Sequence, residues 1–300
     1  MSQFVNAAFV QQYSTNVMML LQQQGSRLRD AVQNMAFHGK AASVAEQFGQ
    51  VNPVKNQSRH SDTPLISTPQ DKRWIYPNDY DWADLIDSQD KLRMLIDPSS
   101  PYAMAGAWAM GRAMDDEIVN AFFSNAQTGE NGTTATALPS SQIVAVTTGA
   151  SGNTGLNVAK LRAAKKLLLQ AEVDIDNDYL YCAITATQHD NLLNEVQAVN
   201  LDYTDRPVLV EGRIRSFMGF NFIHSERIPG GPSYTGSIST GGLYYVPVWA
   251  KSGVALGMWN DVQTTIDKRP DKRNSTQIYV TGTFGATRLE EKRVVQVNCA

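Results

Sequence analysis

The feature that most constrains this chain is an apolar stripe at helical spacing between residues 101 and 125. Its members recur three or four residues apart, the period of one helix face: Met104, Ala107, Gly111, Met114, Ile118, Ala121 and Phe122. Ser100 stands before Pro101, the preferred order at a helix start. The first half is rich in alanine and glycine, which lets another backbone approach closely. The sequence therefore predicts one long, closely packed helix.

Two segments of different character precede this helix. Apolar residues recur at helical steps from residue 4 to 37, with an interruption at Gly25, and predict a helical arm in two parts. Its polar side is mostly glutamine, which fits either an ordinary surface helix or an arm lying on neighbouring subunits, where uncharged groups are cheaper to desolvate. Residues 48–76 hold three prolines and few apolar residues. They predict a long two-stranded ribbon projecting from the body.

An acidic stretch from residue 79 to 97 is predicted to be helical. Asp84, Asp87 and Asp90 stand three apart and would share one face of that helix. A divalent-metal site is one interpretation and a solvated face is the other. Histidine or glutamate partners are absent from the stretch, which favours the solvated face.

The second half of the sequence mixes helices and strands. Strands are predicted at 143–147 and 179–185, helices at 158–171 and 186–196, and shorter β segments after residue 217. Two long β runs, 262–268 and 276–298, end the chain and are joined by a charged turn. Gly282 and Gly285 are predicted to mark bulges in the second run. The overall pattern indicates an α+β fold.

One motif indicates a different class of protein. Thr148, Gly149, Gly152 and Gly155 form TGxxGxxG between a predicted strand and a helix, which resembles the nucleotide-binding turn of short-chain dehydrogenases. The acids that follow, Asp174 and Asp176, precede the next strand instead of following it, and the chain has no Tyr-x-x-x-Lys pair. A nucleotide-binding oxidoreductase therefore stays as an alternative to a non-enzymatic protein.

Composition excludes several other classes. The net charge of −3 argues against sequence-specific DNA binding, because phosphate contacts need a basic surface. The 18% content of charged residues is low and suits a protein packed against copies of itself. Cys182 and Cys299 belong to no metal-binding pattern and are expected to be reduced thiols, with Cys182 buried in a strand. No apolar run is long enough to span a membrane, and no signal peptide is apparent.

Three runs resemble the major capsid proteins of tailed double-stranded DNA bacteriophages. They are SRHSDTPLI at 58–66, DYDWADLID at 79–87 and AWAMGRAMDD at 107–116. The order of parts along the chain is also similar to the Hong Kong ninety-seven-type capsid fold. This resemblance implies five parts: an N-terminal helical arm (1–45), an extended E-loop (46–77), a first P-domain part (78–137) with the spine helix at 101–125, an A-domain (138–258) and a P-domain return with a long β-hairpin (259–300).

The resemblance also implies what the chain does. It implies a major capsid protein that self-assembles into hexamers and pentamers of an icosahedral shell, with no catalytic residue, cofactor or metal. Portal, scaffolding and decoration proteins would be partners, packaged DNA would lie nearby without specific contacts, and no membrane would be involved. Assembly would take place in the host cytoplasm. A phage tube or decoration subunit is the alternative within the same class.

Charged residues of the ribbon, the acidic stretch and the hairpin are the candidates for contacts between subunits. The resemblance places the hairpin turn at 268–274 where three capsomers meet, so its cations would need carboxylates close by. Asp271 and, nearby, Glu290 and Glu291 are the available carboxylates. The candidate residues are Lys55, Arg59, Lys72, Arg73, Asp84, Asp87, Lys268, Arg269, Asp271, Lys272, Arg273, Glu290 and Glu291.

Overall fold

The computed structural model describes residues 22–39, 42–55, 62–63, 65–87, 99–195, 214–238 and 240–300. The helices within these ranges are α1 (Ser99–Phe123), α2 (Val158–Gln170) and α3 (Ala186–Leu193). The strands are β1 (Gln33–Ala36), β2 (Ala42–Phe48), β3 (Gln70–Ile75), β4 (Asn78–Ile86), β5 (Ala126–Thr128), β6 (Thr134–Thr136), β7 (Ile143–Val144), β8 (Leu180–Ile184), β9 (Ser216–Phe217), β10 (Phe220–His224), β11 (Tyr244–Ala250), β12 (Val254–Arg269), β13 (Ser275–Arg288) and β14 (Val294–Cys299). The predicted α+β class is confirmed.

The long helix α1 lies on a four-stranded sheet of order β1-β12-β13-β4. Strands β12 and β13 form a long antiparallel hairpin, and β4 pairs with the other side of β13. A Cβ added at Gly106 would lie 2.6 Å from the ring of Trp82 and 2.7 Å from a methyl group of Val280. The small residues of α1 therefore allow the close packing that the sequence predicted.

A six-stranded sheet of order β7-β14-β11-β8-β10-β9 forms the second layer. Its interior is apolar, and Cys182 is fully buried in β8, as predicted; both cysteines are free thiols. The end of α1 reaches this sheet, where the rings of Phe122 and Trp249 stand 4.5 Å apart between centroids. The Trp249 indole N–H donates to the carbonyl of Ala31 at 2.9 Å. The chain before α1 is thereby fixed to the second sheet.

The third sheet, β2-β3-β5-β6, forms the base of the predicted ribbon. Strands β2 and β3 are antiparallel from Ala42–Ile75 to Phe48–Gln70, and the Gly49 N–H donates to the Pro69 carbonyl at 2.8 Å just beyond them. An antiparallel pair of strands is present at this base, but residues 49–55 and 65–69 of the predicted ribbon form no strand, and residues 56–61 and 64 lie outside the described part. The glycine-rich segment after α1 is the turn of the β5–β6 hairpin, with Gly129 and Gly132 at positive φ.

Two helix predictions are wrong. Among the described residues of the predicted arm, 22–37, the chain forms a 3₁₀ turn at Arg29–Ala31 and then β1, which pairs in parallel with Ala255–Met258; residues 4–21 lie outside the described part. Residues 78–86 form β4 instead of the first part of the predicted acidic helix, and exposure alternates along the strand; residues 88–97 of that prediction lie outside the described part. In both segments pairing with distant strands overrides the local helical spacing. Because neighbouring positions of a strand point to opposite faces, Asp84 and Asp87 do not share a face.

The predicted final β run is also divided. Strand β13 ends at Arg288, a 3₁₀ turn follows at Glu291–Arg293, and β14 joins the six-stranded sheet. The predicted bulges of this run are wrong as well, since the register shifts lie opposite it, between Met258 and Gln263 of β12. Gly285 instead allows a close approach, because a Cβ there would lie 2.2 Å from the Tyr76 carbonyl oxygen.

Candidate subunit-contact surfaces

The ribbon beyond β2 and β3 exposes a cluster of large apolar side chains. These are Phe48 (66% exposed), Val51 (42%), Val54 (59%), Leu65 (99%) and Ile66 (45%). Large apolar side chains exposed within one segment are candidates for an interaction surface. We call residues 48–55 with 65–66 the ribbon patch.

The base of the ribbon is fixed within its own chain. Arg73 is buried, and its guanidinium donates to Glu291 at 2.7 Å and to Gln47 at 3.3 Å. Lys72 is half-exposed and stands 3.7 Å from Glu46. Arg73 and Glu291 thus pair with each other inside one subunit, which leaves their contact with a second subunit without support. Lys55 is exposed, and Arg59 lies outside the described residues.

The hairpin tip, residues 268–274, carries most of the remaining candidates. Both carboxylate oxygens of Asp271 accept from the Arg269 guanidinium at 2.9 Å. This pairing lowers the pKa of Asp271 to about 2. Lys268, Lys272 and Arg273 are exposed and have no ion pair among the described residues. The tip therefore presents three cations beside one internally satisfied pair.

The carboxylates near the tip differ from those expected. Glu290 and Glu291 follow the far end of β13, about 45 Å along a strand of 14 residues at ~3.3 Å per residue, so placing them near the tip is wrong. Glu290 pairs with Arg293 at 2.7 Å. Asp87 lies beside the tip, where it accepts from the Ser275 hydroxyl at 2.6 Å. Asp84 accepts from the N–H of Leu85.

The TGxxGxxG segment is a structural turn filled by its own chain. Lys160 is fully buried, and its ammonium donates to the carbonyls of Thr154 at 2.6 Å and Gly155 at 3.0 Å. The Asn157 side chain caps α2 by accepting from the Lys160 N–H. Burial lowers the pKa of Lys160 and raises that of Cys299 to about 12. The carbonyls of this turn are bound by the Lys160 ammonium, and the start of α2 is capped by the Asn157 side chain.

The structure shows two buried charged residues, Asp115 and Arg288, whose structural roles the sequence pattern did not reveal. Asp115 of α1 accepts from the N–H groups of Arg27 and Leu28 and from the side chains of Gln23 and Ser26. Arg288 donates to carbonyls at the end of α1, and burial lowers its pKa to about 10. The position of Asp115, directly after Met114 of the apolar stripe, was the sequence feature that could have revealed it.

The described part of the chain contains neither a candidate metal site nor a helix that could cross a membrane. No group of three or more histidine, cysteine, aspartate or glutamate residues there is arranged to hold a metal ion. None of the described helices is long and apolar enough to cross a membrane.

Three solved structures illustrate the similarity of the fold. The capsid of cyanophage P-SCSP1u superposes with a TM-score of 0.75 at 15% identity, covering 98% of this chain and 94% of that one. The capsid of cyanophage Pam1 gives 0.73 at 13% identity, with 98% and 97% covered. The mature capsid of bacteriophage PhiM1 gives 0.71 at 12% identity, with 97% and 92% covered. No curated protein sequence matches the chain significantly.

A long spine helix on a hairpin sheet, a second α/β layer and a projecting ribbon define a shell-building subunit with the Hong Kong ninety-seven-type fold. The family model for phage capsid proteins matches residues 5–300, so the chain belongs to the phage capsid protein family. It is a major capsid protein, and the oxidoreductase alternative is not favoured.

Proposed function

We propose that copies of this capsid protein assemble into hexamers and pentamers of a closed icosahedral shell around the phage genome, and that the protein has no enzymatic activity. The ribbon patch is the observation that carries this proposal. Its five apolar side chains are exposed at the end of β2 and in the segments between β2 and β3. Covering them with a neighbouring subunit would remove their apolar surface from water.

The arrangement of charges supports the same proposal. The base of the ribbon is fixed by the buried Arg73–Glu291 pair, so the ribbon would present its patch to a neighbour in a defined direction. At the opposite end of β13 the tip presents Lys268, Lys272 and Arg273 to solvent. Carboxylates of a neighbouring subunit placed against these cations would fix the register of the contact more than they would raise its affinity.

The division into arm, E-loop, P-domain and A-domain belongs to the proposal. The hairpin sheet with α1 would form the P-domain, and the six-stranded sheet would form most of the A-domain. Strand β14, within the segment expected to return to the P-domain, pairs with β11 and β7 of the six-stranded sheet. We propose that the return to the P-domain ends near Arg288.

Further partners follow from the role of a major capsid protein. We propose portal, scaffolding and decoration proteins as partners, assembly in the host cytoplasm, and a location in the virion capsid. Packaged DNA would lie near the inner surface without sequence-specific contacts, in keeping with the net charge of −3.

Electron microscopy of the full-length chain, expressed with and without the scaffolding protein of the same phage, tests the proposal. Closed shells or isolated five- and six-membered rings are the expected products. Open tubes, or a monomer that binds to the outside of preformed shells, would instead identify a tube or decoration subunit. Dinucleotide binding by isothermal titration would revive the oxidoreductase alternative.

A further inference from the structure

Arg27 joins the chain before α1 to the edge of the six-stranded sheet through one histidine. Its Nη1 donates to Nδ1 of His224 at 3.0 Å and to the His224 carbonyl at 2.8 Å. On the other side of the ring, Nε2 of His224 stands 3.0 Å from Oε1 of Glu226. The imidazole therefore lies between a guanidinium and a carboxylate.

These contacts define the proton position on the ring. An arginine can only donate, so Nδ1 must act as an acceptor and carry no proton. The proton of the neutral ring then sits on Nε2 and is donated to Glu226. Oε1 of Glu226 is held in place in turn by the N–H of Ala186, at 2.6 Å, at the start of α3.

The residues next to Arg27 are held independently of the histidine. The carboxylate of Asp115 accepts from the backbone N–H groups of Arg27 and Leu28 and from Ser26. Asp116, the next residue of α1, pairs with Arg227, three residues after His224. The backbone of Arg27 is thus bound by Asp115 on α1, whereas its side chain is bound by His224 on β10.

We propose that Arg27, His224 and Glu226 form a pH-sensitive clasp that holds the segment before α1 against β10 when the imidazole is neutral. A second proton can enter only at Nδ1. It removes the acceptor of Arg27 and places a positive charge against the guanidinium. The carbonyl bond and the hydrogen bonds to Asp115 remain, so acid loosens this one contact without detaching the segment.

Charged groups around the ring come from four elements. Arg27 and Glu226 contact the ring and carry opposite charges. Arg227 is paired with Asp116 on α1, where Asp115 and Arg112 also lie. His189 of α3 lines the same cavity as His224, and its Nε2 accepts from the N–H of Ile214. Nearly half of the His224 side chain is exposed, so protons can reach it from solvent.

A non-titrating replacement separates the clasp from ordinary acid effects. In His224→Asn the side-chain oxygen can take the place of Nδ1 as the acceptor of Arg27, but it cannot be protonated between pH 8 and pH 5. The melting temperatures of the full-length wild-type and His224→Asn proteins would be compared from pH 8 to pH 5. We expect the wild type to lose roughly 1 to 4 °C relative to the variant, as for one hydrogen bond. Arg27→Met should abolish this loss of the wild type in acid, although the contact with Glu226 remains.

The sign of the difference decides the outcome. If the contact with Glu226 dominates, the wild type gains stability relative to His224→Asn in acid, and the clasp is overturned. No difference across the range would also overturn it. Nitrogen NMR of the His224 ring at pH 8 gives a separate check, since a proton found on Nδ1 contradicts the proposed acceptor. None of these readouts depends on shell assembly.

Discussion

Asp115 is a carboxylate with no exposed surface in the middle of a long helix. Such a charge is stable only where hydrogen bonds replace its hydration. Two backbone N–H groups and the side chains of Gln23 and Ser26 supply them, and Gly111 leaves room for that chain, because a Cβ there would lie 2.4 Å from the Gly25 carbonyl carbon. One residue thereby determines where the chain crosses α1.

Asp115→Asn should destabilise the unassembled subunit by about 2 to 4 kcal/mol, because an amide group would turn a donor towards donors in a buried site. Urea unfolding followed by circular dichroism measures the free energy. Asp176→Asn, at an exposed position, is the matched control and should stay within about 0.5 kcal/mol. Equal effects of the two substitutions would contradict the assigned role of Asp115.

Arg288 performs a related task at the end of the same helix. Its guanidinium donates to the carbonyls of Ala121, Phe122, Ser124 and Thr136. The last carbonyls of a helix lack partners within it, and a cation there also interacts favourably with the helix dipole. Arg288 therefore connects α1, the β5–β6 hairpin and β13.

Arg288→Met should lower the free energy of unfolding by about 3 kcal/mol, since several buried carbonyls would lose their donor. Arg288→Lys should lose less, because one ammonium keeps the charge but cannot reproduce the planar fork. Lys268→Met, an exposed basic residue of the same hairpin, controls for the change in charge. If all three variants unfold at the same urea concentration as the wild type, the cap contributes nothing.

At the scale of elements, local pattern predicted the helices that have strong apolar periodicity. Helices α1, α2 and α3 and strand β8 lie where the sequence placed them, and the side chains of Asn157 and Thr185 cap the starts of α2 and α3. Residues 78–86 were misassigned because Asp84 and Asp87 suit a helix face, whereas Tyr80 and Trp82 alternate with Asp79 and Asp81 as a strand requires. Only the pairing of residues 78–86 with residues 276–284 of β13 decides between the helical spacing and the strand alternation.

The contact surfaces were predictable to a different degree. The ribbon and the basic tip follow from prolines, low apolar content and a run of cations. The partners of single charges do not follow in this way, because Arg73–Glu291 and Arg269–Asp271 depend on where β13 begins and ends. The sequence therefore indicated which segments are candidates for contact surfaces, but not which of their charged side chains are already paired within the subunit.

The ribbon patch should stabilise the assembly and leave the subunit fold unchanged. Replacing residues 52–66 by a short glycine–serine turn keeps the Gly49–Pro69 closure and removes most of the exposed apolar side chains. Calorimetry of unassembled subunits should show an unchanged melting temperature, whereas shells should melt earlier or fail to form. Leu65→Ser, which keeps the ribbon intact, should weaken shells in the same direction. A subunit destabilised as much as its shells would show that the ribbon belongs to the core.

At the scale of the whole molecule, the tip closes one end of the β12–β13 hairpin, and the other end continues into β11 and β14 of the six-stranded sheet. Asp271 is the internal carboxylate of the tip, and the paired Arg269 lowers its pKa to about 2. A lowered pKa means that the pair is present above the ordinary aspartate value of about 4 and is lost only as the pH falls towards 2. The pair therefore persists at any pH suited to assembly.

If three tips converge, their cations repel unless they are interlocked with carboxylates such as Asp87, since exposed charges interact within a Debye length of roughly 8 Å. Asp271→Lys adds two positive charges per tip and should leave the subunit folded but block shells. Asp271→Asn adds one and should give an intermediate yield, and Arg273→Ala should shift assembly towards free capsomers. Gradient sedimentation measures the yield, with circular dichroism as the control for folding. Normal shells from folded Asp271→Lys would show that the tip is a solvated turn without a partner.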